Sequence, residues 1–217
     1  MRPYMKDSLV IISACQYTQV ALMHLLSEEK YHIRIFFNVN TEVESVLNSS
    51  CGYLLVDISS LSHGEKVLLA CILRLRKNLN KWLVCLTGKL DNFNYSPVSK
   101  LYNRYHHISY MLTVNNYQKE LHQWLTRPLP NETGHFRPLT FRELEILKIL
   151  MQGRSLSEAS RYEQRSLKTL HTIAVQALMK LGIDTIREFK LLYTGCANHK
   201  LKKIQHRKNF SGRKLSF

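Results

Sequence analysis

The sequence predicts an α/β domain of alternating strands and helices followed by a small all-α domain, and three observations lead there. Short apolar runs alternate with amphipathic stretches as far as residue 126. A segment with three prolines and no helical period, Arg127 to Pro138, then interrupts the chain. Beyond it, apolar residues recur only at helical spacing. The expected division is 1–126, a linker at 127–138, a helical domain at 139–193 and a basic tail at 194–217.

Taken in order, S-L-V-I-I-S (Ser8 to Ser13) reads as a buried strand, and Val20, Leu22, Met23, Leu25 and Leu26 favour a helix from about Tyr17 to Glu29. His32 to Phe37 is the second strand. Thr41 to Leu47 is the second helix, with Thr41 as N-cap and Glu44 completing a capping box. Tyr53 to Val56 is the third strand, Glu65 to Leu79 the third helix and Trp82 to Thr87 the fourth strand. An Asn-rich segment of ambiguous pattern follows, then a fifth strand, Ile108 to Leu112, and a helix, Tyr117 to Leu125. Strands separated by helices imply a parallel sheet covered on both faces.

Past the linker, T-F-R-E (Thr140 to Glu143) has capping-box spacing. Leu144, Leu147, Leu150 and Met151 then share one helix face, which Gly153 ends. A short helix is expected around Ser157 to Tyr162. Ser166 caps another, with Leu170, Ile173, Ala174, Ala177, Leu178 and Leu181 as its apolar stripe. Its opposite face carries Lys168, His171, Thr172, Val175 and Gln176, placed where they could enter a DNA major groove.

Charge favours a polyanionic partner. Residues 1–134 hold 14 Lys or Arg against 10 Asp or Glu, a net of +4, whereas residues 135–217 hold 17 against 6, a net of +11. From Gly195 onward there are seven basic residues and no acid. Nucleic acid is the expected partner rather than a membrane surface. The five cysteines form no C-x-x-C pair and the ten histidines no metal-ligand spacing, so no metal and no cofactor is expected. No apolar run is long enough for a signal peptide or a membrane span, which makes the cytoplasm the expected location. The absence of G-x-S-x-G, P-loop and paired-carboxylate spacings argues against an enzyme and against a small-molecule substrate.

L-T-F-R-E-L-E-I-L-K-I-L-M-Q-G, S-L-K-T-L and A-L-M-K-L-G-I together resemble the helix-turn-helix of the LuxR/FixJ/NarL transcription regulators, over Leu139 to about Tyr193. Within that family the motifs are most similar to RcsB and its partner regulators RcsA and BglJ. The resemblance implies a regulator that binds double-stranded DNA, with contacts from Arg161, Arg165, Ser166, Lys168, Thr169, His171, Thr172, Val175 and Gln176. It further implies a homodimer, or a heterodimer with an RcsB-like regulator. The sequence also departs from the family pattern. Ala159, Ser160 and Glu163 stand where Ile, Ala and Leu usually pack, so that helix is expected to be loosely held, with Tyr162 a candidate to fill the gap. Ala174 and Val175 replace polar or basic residues, which leaves Arg161, Arg165 and Lys168 to supply mainly phosphate contacts.

The same resemblance implies a (βα)5 receiver-like domain upstream, with Asp57 at the phosphoacceptor place and Thr87 at the switch position. Aspartyl phosphorylation requires Mg²⁺ and carboxylates to hold it. Ser13, Ala14 and Cys15 replace the acidic pair expected after the first strand, and Thr113 replaces the lysine expected after the fifth. Asp57 is therefore expected to be structural, and the regulator to act without phosphorylation. An interaction-only antagonist, which pairs with a LuxR-type regulator without reading DNA, is the alternative.

Overall fold

Five apolar segments form the strands β1 (Ser8–Ile12), β2 (His32–Phe36), β3 (Gly52–Asp57), β4 (Trp82–Thr87) and β5 (Ile108–Tyr110) of one parallel sheet, ordered β2-β1-β3-β4-β5. The computed structural model describes residues 8–26, 31–78, 81–88, 96–103, 108–110, 117–128 and 137–195. Every residue of β3 and β4 is buried, as parallel strands covered on both faces require. Gly52 starts β3 at φ 147°, where a Cβ would lie 2.0 Å from the Ser8 carbonyl oxygen. Only glycine lets β3 approach β1 that closely.

Helices α1 (Gln16–Leu25) and α5 (Tyr117–Leu125) cover one face of the sheet, setting Leu22, Leu121, Trp124 and Leu125 against Leu9, Ile11, Tyr53, Leu55 and Leu83. Helices α2 (Thr41–Ser49), α3 (His63–Leu73) and α4 (Ser99–Asn103) cover the other. The N-cap of α2 is Asn40, not Thr41: its side chain accepts from the Glu42 and Val43 amides at 3.0 Å each. Thr41 is the first helical residue, and Glu44 is buried and turned away from the cap. Helix α1 ends at Leu25, earlier than its apolar pattern predicts, with Tyr17, Val20 and Met23 exposed.

Helix α3 stops at Leu73, whereas its periodicity predicts continuation to Leu79. The reason is tertiary. The Leu139 amide donates to the Arg74 carbonyl at 2.8 Å, and the Arg76 amide donates to the Leu139 carbonyl at 3.1 Å. A continuing helix would spend those backbone groups on itself. Thr113, residues 129–136 of the linker and residues 196–217 of the basic tail lie outside the described residues.

Four helices follow: α6 (Phe141–Met151), α7 (Leu156–Glu163), α8 (Leu167–Leu181) and α9 (Ile186–Thr194). Thr140 and Glu143 form the capping box that the sequence predicts, and Ser155 with Glu158 forms a second one on α7. Gly153 takes φ 79° after α6. Ser166 caps α8 by accepting from the Thr169 amide, and Leu170, Ala174, Ala177, Leu178 and Leu181 are buried, with Ile173 partly so. Helix α9 was not expected from periodicity, yet T-I-R-E repeats the cap spacing of T-F-R-E, and Thr185 accepts from the Glu188 amide at 3.1 Å.

One apolar cluster runs from the α2 and α3 face of the sheet into the core of α6 to α9, joining Leu47, Ile72 and Leu75 to Leu139, Leu147, Phe189 and Leu192. Polar bonds follow the same seam. Lys148 on α6 lies 2.6 Å from the Glu44 carboxylate on α2. Arg74, buried at the end of α3, donates to the Lys180 carbonyl in the last turn of α8 at 2.7 Å. Burial pulls the Lys148 ammonium down, but hydrogen bonds and charge from Glu44 and Glu145 outweigh it and hold the group above its ordinary value.

Candidate nucleic-acid interface and the Asp57 end of the sheet

Helix α8 presents two unlike faces because residues three and four apart stack on one side of a helix. Lys168, His171, Thr172, Val175, Gln176 and Met179 are all exposed, opposite the buried stripe. Arg161 on α7, and Arg165, Ser166 and Thr169 at the start of α8, are exposed as well. The residues singled out in the sequence therefore share the solvent side of one short segment. Met179, 71% exposed in the last turn, extends that face and went unnoticed in the sequence. It falls in step with Lys168, Thr172 and Val175 at helical spacing, which is the signal that would have found it.

The hydroxyls on this face are engaged within the helix. Ser166 Oγ lies 2.7 Å from Thr169 Oγ1 while accepting from the Thr169 amide at 3.1 Å. Thr172 Oγ1 donates to the Lys168 carbonyl at 3.0 Å. Thr172 thus offers its methyl group, and only its oxygen's lone pairs, to anything outside.

The neighbouring helix bears the marks of its unusual sequence. Ala159 is buried but small, and a groove of about 320 Å3 lies beside it, lined by Ile149, Arg154, Glu158, Tyr162 and Glu163. Tyr162 does not fill this gap: it stands at the rim of the groove, 85% exposed. Glu163 is satisfied by an ion pair with Arg142 in the first turn of α6.

At the carboxyl end of the sheet, Asp57 terminates β3 at 5% exposure. Its Oδ2 accepts from Ser13 Oγ at 2.9 Å and its Oδ1 from Ser59 Oγ at 2.6 Å. Ser60 Oγ donates to the Asp57 carbonyl at 2.9 Å and accepts from the Ala14 amide at 2.9 Å, tying the β1 and β3 loops together. Gly88, after β4, lies so close that a Cβ there would meet Ser59 Oγ at 2.5 Å and Asp57 Oδ1 at 2.8 Å. A buried carboxylate needs such partners, because leaving its lone pairs unpaired costs several kcal/mol, on the order of 1 to 3 per group.

Thr87 Oγ1 donates to the Tyr117 hydroxyl at 3.2 Å, and burial raises the Tyr117 pKa. Ser59, Ser60, Gly88, Tyr117 and Lys66 on α3 are contributors to this site that sequence reasoning missed. Burial lowers the Lys66 pKa, while the Asp57 and Glu65 charges oppose that shift. These residues do not fit a magnesium ion. Ser13 supplies a neutral donor where a second carboxylate would bind metal, and both Asp57 oxygens already accept hydroxyls.

Among solved structures, the chain is similar to RcsB from Salmonella enterica serovar Typhimurium bound to promoter rprA, at 17% identity and a TM-score of 0.40, covering 84% of this chain and 97% of that one. It is similar to full-length FixJ from B. japonicum at 13% identity and a TM-score of 0.39, covering 88% and 98% of the two chains. The response regulator StyR gives 13% identity and a TM-score of 0.43, with 87% and 98% covered. No family model and no curated protein matches the sequence. Among the described residues, no helix is long and apolar enough to cross a membrane.

Proposed function

We propose that the protein is a DNA-binding transcription regulator in which α7 and α8 form a LuxR-type helix-turn-helix. In this reading α8 is the recognition helix, and the receiver-like domain works without phosphorylation. The observation that carries it is the outward face of α8. Lys168, His171, Thr172, Val175 and Gln176 are exposed together on a capped helix whose other face is locked into a core, within the segment 135–217 that carries a net charge of +11. Arg161 and Arg165 flank it as phosphate contacts, and Ser166 and Thr169 hold its N-terminus. Residues 127–138 act as the connection between the modules, and the basic tail at 194–217 adds sequence-independent attraction to DNA.

Phosphorylation-independent action is supported by Ser13 and Ser59, which occupy both oxygens of the Asp57 carboxylate. The input is then the amount of protein or its choice of partner, as a homodimer or as a heterodimer with an RcsB-like regulator. Footprinting and mobility-shift assays with full-length protein, alone and with RcsB, test the reading; absence of binding and of any regulatory effect in both states overturns it. The internal engagement of the α8 hydroxyls is the observation favouring an interaction-only antagonist. Lys168→Ala separates the two, since an antagonist keeps its full effect and a DNA reader's effect weakens.

A further inference from the structure

Along the middle of the outward face of α8, between His171 on one flank and Gln176 on the other, the short side chains offer few free hydrogen-bond donors. The Thr172 hydroxyl is returned to the helix backbone and the Ser166 and Thr169 hydroxyls are paired with each other, which engages two of the three short donors that could reach a base edge. In their place Val175 is 36% and Met179 71% exposed. At ~100° per residue, Lys168, Thr172, Val175 and Met179 fall within about 60° of arc. The Thr172 methyl, Val175 and Met179 thus make one apolar strip along the middle of the face, with Lys168 at its N-terminal end.

Resting on the reading of α8 as a recognition helix, we propose that this strip reads the 5-methyl groups of thymine in the major groove, so that Val175 and the Thr172 methyl determine specificity. Of the major-groove edges, thymine alone offers an apolar group to match such a strip, while guanine, adenine and cytosine call for polar partners. Lys168 sits one helical turn before Thr172, where it anchors the helix to phosphate or to one guanine and sets the register of the apolar contacts. Exposed apolar side chains on a surface that must meet water in the free protein then gain by burial only against methylated bases.

The test uses full-length protein and a randomised 30-base-pair duplex library, with and without RcsB. Duplexes recovered by binding are resynthesised with deoxyuridine for each thymine, which removes the methyl and leaves base pairing intact. Affinity is expected to fall about three- to fivefold for each contacted methyl removed. Cytosine replaced by 5-methylcytosine in a weakly bound duplex, which presents a methyl at the same place, recovers part of the loss. Val175→Ala, which removes both γ-methyls, weakens the thymine preference at the base it contacts, whereas Thr172→Val leaves it unchanged because the hydroxyl faces its own helix. Duplexes that bind equally with uracil overturn the proposal while leaving DNA binding in place. Recovery of no duplex in either state overturns the reading of α8 and this inference with it.

Discussion

The carboxyl end of the sheet and the outward face of α8 both concentrate polar side chains, and they use them in opposite ways. At Asp57 the hydroxyls of Ser13 and Ser59 turn inward onto a buried carboxylate, and the loops after β1, β3 and β4 close over it. On α8 the hydroxyls also turn inward, onto the helix itself, but Lys168, His171 and Gln176 remain in solvent beside Val175 and Met179. The first arrangement spends its polarity on holding the fold. The second keeps its charge available to a partner. A residue's place in a reactive-looking location is therefore not enough; what its polar atoms are already bonded to decides what they can do.

The two regions separate most sharply under substitution. Asp57→Ala leaves the Ser13 and Ser59 hydroxyls without their acceptor and is expected to cost about 2 to 4 kcal/mol by denaturant unfolding, with Asp57→Asn losing less. Regulation per folded molecule should stay unchanged; its loss at normal stability and abundance would show the carboxylate to be an input site after all.

Lys148→Ala strands the buried Glu44 carboxylate at the seam between the regions, and a loss of roughly 2 kcal/mol is expected, with Glu44→Gln in the same chain recovering part of it. Unchanged stability would mean the seam is held by its apolar contacts alone. Lys168→Ala should do the reverse of Asp57→Ala: no change in melting temperature, and a fall in DNA affinity of roughly fivefold with the salt slope shallower by about 0.9. A drop in stability instead would place Lys168 with the structural residues.

Ala159→Leu grows a side chain into the groove beside α7 and is expected to add about 1 kcal/mol, read as a higher denaturation midpoint; a decrease would show that the groove walls cannot accept the added volume. The smallest effect concerns pH. Burial, helped by the Lys66 charge, lowers the His63 pKa, so the folded state binds its proton less readily than the unfolded chain. Stability from this group is complete above the unfolded value near 6.5 and declines as the pH falls below it. His63→Gln should flatten that decline between about pH 7.5 and 5.5, and an unchanged profile would assign the slope elsewhere.

Local chemistry made much of this legible. Thr140 with Glu143, and Ser166 before L-K-T-L, announce helix starts through spacing alone, because a cap needs only its own neighbours. β4 appears at Trp82 to Thr87 as its apolar run predicts. Where the sequence misleads, a distant segment intervenes. Helix α3 ends at Leu73 because Leu139 claims the Arg74 and Arg76 backbone, and on α7 the small Ala159 is buried while Tyr162 stays in solvent at the rim of the groove they both line.

The same division holds for the sites. By itself the sequence determined which residues could face DNA, since helical period sorts Lys168, His171, Thr172, Val175 and Gln176 from Leu170, Ala174 and Leu178 before any tertiary contact forms. It also determined that Asp57 ends a buried strand. Only the tertiary structure decided the rest: that Ser13 and Ser59, 44 and 2 residues from Asp57, converge on its two oxygens, and that the Asp57 charge acts on Lys66. It likewise brought Glu44 to Lys148 and Arg74 to the end of α8. Periodicity encodes which way a side chain points, but the partner it meets depends on how whole elements pack.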